Sequence, residues 1–423
     1  MAGAKKLKEV RRVHSKVRKD VFVVLALAFV VMLMSSVPAQ ALPMFARRSD
    51  GANCTKCHWQ QNALNATGRA YLKHGIRDVG ETVDLREAEL RLSQYMSLVV
   101  APSLSAVKND TTAFSGGEVA LWTGGPVDSN FSLVSEIAFL VDEDAVEAEE
   151  VYAHFVTNAG TGQNGKAATV GGAVADGEEE DEPEAELLSA KYLSARVGQF
   201  QPFLLLGQVS GPPRISLSRP VAMSGKATNG NSFRPRSRLR GLEVGAVNGP
   251  LSAYLGIGNG PQQNAADNAM DMYATVERDL GTSGSSVGAY AYWGKAVLSG
   301  GSRDSFRRYG VIGNCTLENT RLVGGFLLGS NDNPGGASLD NDGWFLEWAQ
   351  HVGNKGTVAY ARWDKFNADL AAGGQVKTDG MTLGISWTPN PDAATMRLAI
   401  EGQWLDEDST DQDGITTELQ LTF

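Results

Sequence analysis

The sequence predicts a mainly β protein: a barrel of about sixteen antiparallel membrane-spanning strands behind a short helical N-terminal segment. Three observations carry that prediction. From about residue 90 onward, apolar residues recur at every second position, the period of a strand with two unlike faces. Glycine, at 48 of 423 residues, is dispersed among these short segments, as many tight turns require. The chain also opens with a leader of the exported kind.

Residues 1–20 are basic, with Lys5, Lys6, Lys8, Arg11, Arg12, Lys16, Arg18 and Lys19. The apolar run Val21–Met34 follows, then Ser35, Ser36, Pro38 and the small-x-small stretch Ala39-Gln40-Ala41. Residues 1–41 therefore read as a signal peptide cut after Ala41. A retained anchor helix is the alternative, but 14 apolar residues are short for a span of about 20.

Residues 42–88 form the next unit. They contain Cys54-Thr55-Lys56-Cys57-His58, two thiols three positions apart with histidine immediately after. This is the attachment pattern for c-type haem, and export supplies the compartment in which such haem is attached. Each thiol forms a thioether with one vinyl group of the same porphyrin. His58 then lies under the ring as proximal iron ligand. Zinc would need four ligands, and the only other cysteine is the distant Cys315, read as a free structural thiol. One covalent haem c is therefore expected, held by Cys54, Cys57 and His58. Asn62–Lys73 predicts a short helix that stops near Gly75. His74, at the end of that helix, is the first candidate for the distal ligand; Met44 and Met96 are its rivals. A unit this small cannot bury a core alone, so it must lean on the rest of the chain.

Residues 89–423 form the barrel. Met381, Leu383, Ile385 and Trp387 face one way; Thr382, Gly384, Ser386 and Thr388 face the other. Arg397, Ala399, Glu401 and Gln403 alternate with Met396, Leu398, Ile400, Gly402 and Trp404. Charged inward positions suit a wet lumen, and apolar faces ending in tryptophan suit the girdles of a membrane barrel. Strands are expected near 90–101, 116–124, 130–142, 147–158, 188–200, 237–248, 250–259, 269–280, 285–296, 305–314, 317–329, 341–352, 355–365, 378–388, 394–405 and 415–423. An even count returns the C-terminus to the side of the N-terminus, and about sixteen strands leave room for an aqueous channel. The last strand places Ile415, Thr417, Leu419, Leu421 and Phe423 on one face, and its terminal phenylalanine resembles the assembly signal of outer-membrane barrels.

Three stretches interrupt the alternation. Residues 160–186 are rich in glycine and alanine, then strongly acidic from Asp176 to Glu186. That run is expected as a solvated loop, with surface calcium or iron binding as the alternative. Strand counting puts it on the periplasmic side. Gln201–Ser232, with Pro212-Pro213, is long enough to fold into the lumen as a constriction. Arg234, Arg236, Arg238 and Arg240 form a stripe that either lines the pore, meets haem propionates, or marks a charged strand edge.

Formal net charge is −10. Residues 1–41 hold eight Lys/Arg against two Asp/Glu, so the chain beyond them carries about −16. That balance excludes nucleic acid as a partner and favours a cation.

Phe45-Ala46-Arg47, the Cys54–His58 motif, Leu64-Asn65 and Gly68-Arg69 follow one another in an order that resembles a known family. The chain is similar to the fused outer-membrane cytochrome–porins, iron(II) oxidases of iron-oxidising bacteria. Ala63 departs from the proline expected ahead of Leu64. Val197-Gly198-Gln199-Phe200 likewise resembles a porin strand end. The resemblance implies outer-membrane lipid around the barrel, Fe(II) as electron donor and a periplasmic carrier, a c-type cytochrome or similar, as acceptor. A passive porin with structural haem, and outward electron flow, are the rival expectations.

Overall fold

The computed structural model describes residues 54–60, 63–77, 95–107, 112–128, 130–140, 145–157, 190–202, 215–260, 270–298, 301–332, 337–353, 356–393, 395–407 and 410–422. The leader and Phe423 lie outside them, as do Met44 and the acidic run Asp176–Glu186.

Two short strands, β1 (His58–Gln60) and β2 (Ala63–Leu64), pair antiparallel and lead into helix α1 (Ala66–Lys73). Sixteen strands then follow. They are β3 (Met96–Val107), β4 (Ala113–Pro126), β5 (Phe131–Leu140), β6 (Ala145–Val156), β7 (Lys191–Phe200) and β8 (Leu239–Asn248). Next come β9 (Leu251–Asn259), β10 (Asp271–Leu280), β11 (Ser285–Val297), β12 (Arg303–Thr316) and β13 (Thr320–Asn331). The last are β14 (Leu339–His351), β15 (Thr357–Asp369), β16 (Gln375–Trp387), β17 (Met396–Glu407) and β18 (Thr410–Thr422). Each pairs antiparallel with its sequence neighbour, and β18 pairs with β3 through Gly414↔Val107 to Thr422↔Val99, so the barrel is closed. All sixteen expected strands are present.

The largest displacement is at the first, expected at 90–101 and found at Met96–Val107. Pro102, which offers no ladder donor, lies inside it. The strand passes through the proline with a register irregularity between Ala101 and Ser103. The Val197–Phe200 motif does end a strand. At Gly198 φ is +136°, and a Cβ there would lie 2.2 Å from the Val151 carbonyl oxygen, so only glycine fits. The strands expected at 355–365 and 378–388 both extend toward each other. β15 and β16 run to a tight turn in which Gly373 and Gly374 both have φ of +89°.

The barrel reverses the burial of a water-soluble protein. Outward positions are apolar and exposed, including Leu255 (62%), Val311 (54%) and Ile415 (57%), with Trp293, Trp344, Trp348, Trp363 and Trp404 among them. Inward positions such as Thr382, Ser386, Arg397 and Glu401 are buried. A protein whose exposed belt is apolar and whose hidden face is polar is solvated by lipid, and a closed edge leaves no ladder group unpaired there. This is an outer-membrane barrel.

The lumen corrects one expectation. Among the described residues it is packed. Tyr273, Tyr292, Phe306, Ile312, Leu327 and Phe345 point inward and form one buried cluster with Tyr71 and Ile76 of the N-terminal segment. Two insertions supply the filling. One is residues 54–77, at the end of the barrel where β3 starts and β18 finishes. The other is the connection between β7 and β8, which enters from the opposite end and carries a short helix, α2 (Val221–Ser224). Ala63 of the first and Ile215 of the second share a buried cluster with Ala349, Val358 and Tyr360.

Candidate functional site

The candidate site is the mouth at the terminal end, and it is built outward from Cys54-Thr55-Lys56-Cys57-His58. Cys54–Lys56 form one 3-10 turn, closed by the Cys57 amide donating to the Cys54 carbonyl at 3.2 Å. None of the three cysteines is in a disulfide. Asn65 clasps this turn onto α1. Its Nδ2 donates to the carbonyls of Thr55 (3.2 Å) and Lys56 (2.9 Å), and its backbone amide donates to the Cys57 carbonyl (3.0 Å). Its side-chain oxygen meanwhile accepts from the Gly68 amide (3.0 Å), capping the helix. Gly68 allows the close approach: a Cβ there would sit 2.1 Å from the Cys57 carbonyl oxygen. Leu64-Asn65 and Gly68-Arg69, which read in sequence as a bare order of residues, are thus the seat on which the cysteine turn rests.

Arg69 fixes the seat to the wall. Its guanidinium pairs with Glu277 and Asp279 of β10 and donates to Ser286 of β11 and Asn314 of β12. Lys73 reaches the same carboxylates, Glu277 at 2.7 Å and Asp279 at 2.9 Å. Further round the barrel, Arg77 donates to the Asp128 carbonyl (2.9 Å) and Ser132 (2.7 Å), and Ser132 donates back to the Gly75 carbonyl (2.6 Å). At the start of the segment the Cys54 amide donates to the Asp392 carbonyl (2.8 Å), and Trp59 donates to the Leu317 and Glu318 carbonyls (3.3 Å each). The segment therefore crosses the mouth, gripped by turns on several sides.

The electrostatics follow from this burial. Burial, with the nearby Asp392 carboxylate second, pushes the Cys54 thiol up to about 11. Burial lowers His58 to about 4, so its imidazole is neutral and its lone pair available. Its Nδ1 is buried with no hydrogen-bond partner among the described residues. Two thiols in one turn, followed by a neutral histidine with an unsatisfied buried nitrogen, are a donor set that fits a c-type haem.

His74 stands apart. Its ring packs edge-on to Tyr192 of β7, centroids 5.0 Å apart, and its Nδ1 lies 3.4 Å from the Arg77 carbonyl. Burial, opposed by that carbonyl contact, lowers it to about 4. Trp59, next to His58, contacts the β12–β13 turn and β14, and its ring lies 4.4 Å from that of His351. The structure brings Cys54, Cys57 and His58 together and puts His74 beyond the far end of α1, with no bond or ring contact to His58 among the described residues. Met96 stands at the start of β3. Cys315 is exposed on the outward face of β12.

The arginine stripe is at the opposite end of the barrel. Arg238 pairs with Glu149 and, at 3.8 Å, with Glu136, while Arg240 donates to Gln199 (2.6 Å). Arg238 and Arg240 thus belong to that rim and to no part of the terminal mouth. Asn331 and Asp342 serve the wall: Asn331 accepts from Arg308 (2.8 Å), and Asp342 accepts from Asn367 (2.9 Å). Among the described residues no cluster of three His, Cys, Asp or Glu could hold a metal ion. Sequence reasoning missed Arg69 as the anchor, because its partners lie more than 200 positions away.

No protein-family model matches the sequence, and no curated protein matches it. Solved structures match the fold. The anion-selective porin from Comamonas acidovorans is similar at a TM-score of 0.58 and 12% identity, over 78% of this chain and 98% of that one. A loop L8 deletion mutant of OmpT, an outer membrane protein of Vibrio cholerae, is similar at 0.55 and 11%, over 78% and 98%. In-vitro folded OmpT of the same organism is similar at 0.52 and 11%, over 78% and 96%.

Proposed function

We propose that this porin-like barrel is an outer-membrane electron-transfer protein. In this reading it carries one covalent haem c at its terminal mouth, takes electrons from Fe(II) outside the cell and passes them to a periplasmic carrier. The observation that supports it most is the seat itself. Asn65, Gly68 and Arg69 build the cysteine turn into the barrel wall, where a tethered cytochrome would need none of them.

Cys54 and Cys57 would hold the group, and His58 would be its proximal ligand. When bound, a single haem c supplies one-electron exchange, the stoichiometry of Fe(II) oxidation. The rest falls to the chain. The buried clusters that hold Tyr71 and Ile76 and receive Trp59 would give such a group apolar surroundings at the mouth. The net charge of about −16 beyond the leader concentrates a cationic donor at the surface. His74 becomes the distal ligand only if the C-terminal turn of α1 shifts from Tyr192, since it is held away from His58 in this structure.

Purified, haem-loaded protein should be reduced by Fe(II) with one equivalent per chain, and His58→Ala should abolish the reduction. A reduction potential too low to accept electrons from Fe(II) at working pH would overturn iron as donor and favour outward flow. The second reading is a passive porin with a structural haem, which the fold likeness to solute porins supports. High ion conductance in planar bilayers, together with no response to Fe(II), would establish it instead.

A further inference from the structure

Arg321 lies on the inward face of β13, next to the haem-attachment segment, and is 1% exposed. None of its three guanidinium nitrogens has a hydrogen-bond partner among the described residues. A buried guanidinium without a partner is costly, and its planar fork suits a carboxylate above other anions. The charged groups that face it are Glu347 of β14 and the like-charged Arg69 of α1, and both are committed elsewhere. Glu277 and Asp279 are bound by Arg69 and Lys73. Glu347, its electrostatic neighbour on β14, accepts from Ser216 at 2.7 Å and faces Arg362 at 3.8 Å.

Its position relates it to the cysteine turn. Arg321 pairs across the sheet with Ala349, and Ala349 belongs to the cluster against which Trp59 packs. Trp59 follows His58 directly and donates to Leu317 and Glu318, in the turn that opens β13. The guanidinium is therefore buried at the terminal mouth, across the sheet from the cluster that receives Trp59.

We propose that Arg321 is the binding partner of a haem propionate, fixing the orientation of the group and raising its reduction potential. This rests on the haem reading above. A cation on the propionate offsets negative charge beside the iron and so favours the reduced state.

The test is a redox titration of the full-length, haem-loaded protein in detergent, across pH, for wild type, Arg321→Lys and Arg321→Met. Arg321→Met should lower the potential. It should also move the propionate's bend in the potential–pH curve to higher pH, because the carboxylate loses its counter-charge. Arg321→Lys should keep most of the wild-type potential. A methionine variant that holds covalent haem and titrates like wild type at every pH overturns the proposal. Should that variant not assemble, the wild type alone decides: its propionate bend must fall below the ordinary carboxylate range, and a bend within that range overturns the proposal. Absence of covalent haem from the wild type on a stained denaturing gel is a separate result, which removes the haem reading before any Arg321 variant is made.

Discussion

Two insertions fill this barrel, one from each end, and they are held in the same way but finished differently. The connection between β7 and β8 is anchored by Arg362, which bonds Asp364 (2.7 Å) and the Ser218 carbonyl (2.7 Å). Glu401 accepts from the amides of Leu217 (2.7 Å) and Ser218 (2.9 Å) and from Tyr360 (2.9 Å). Asn231 donates to Asp304 (2.7 Å), and Phe233 packs between Tyr292 and Phe306. The N-terminal segment is anchored equally well by Arg69 and Lys73, yet the same mouth keeps a buried His58 nitrogen and a buried Arg321 unbonded. The connection leaves only scattered atoms unbonded among the described residues, such as Asn229 Nδ2 and Arg234 Nε, whereas all three guanidinium nitrogens of Arg321 lack a partner. Strong anchors around unsatisfied polar groups and a turn with two thiols and a histidine mark a candidate site, because leaving buried polar groups unpaired costs stability that a bound group can restore.

The largest expected effect breaks the anchors one at a time. Arg69→Leu leaves Glu277 and Asp279 with Lys73 as their one remaining cation among the described residues, a loss of at most about 3–5 kcal/mol. The segment should undock, become open to protease in the detergent-solubilised barrel and lose haem staining, while the barrel keeps its heat-modifiable mobility. Arg362→Leu should do the converse, exposing the β7–β8 connection to protease and leaving the N-terminal segment protected. If both variants expose both insertions, the two are one cooperative unit and the comparison fails.

A smaller effect is expected from Gly68→Ala. The added methyl meets the Cys57 carbonyl oxygen and pushes α1 off the cysteine turn. Covalent staining should persist, since the thiols are intact, but the absorption spectrum and the Fe(II) reduction rate should change. A variant indistinguishable from wild type would mean that the seat has no bearing on the haem. The smallest effect concerns the outer charge. Neutralising Glu178, Glu179 and Glu180 should slow Fe(II) reduction modestly at low ionic strength and leave it unchanged at high salt, where screening already acts.

The barrel was legible because a strand writes its two environments at a period of two. Thr382 and Ser386 alternate with Leu383 and Ile385 in the sequence as they do in the wall. Even the inward arginine and glutamate of β17, Arg397 and Glu401, were visible in this way. The candidate attachment turn was legible for a different reason: Cys54, Cys57 and His58 are contiguous, so their chemistry needs no fold to assemble it. His74 was chosen for nearness in sequence, and an eight-residue helix was enough to carry it to another wall. The wet lumen was inferred from polar inward residues, which in the structure hold the two insertions in place.

By itself, then, the sequence determined the number of strands, the face each residue turns to lipid and the identity of the candidate haem ligands, since all three depend on spacings of a few residues. Tertiary structure alone decided that the segment is a wall-bound plug, that the pore is packed, and that Arg321 faces the mouth unbonded. Those outcomes depend on meetings such as Arg69 with Glu277 and Ala63 with Ile215. Such pairs share no local period, and only closure of the barrel brings them within reach of one another.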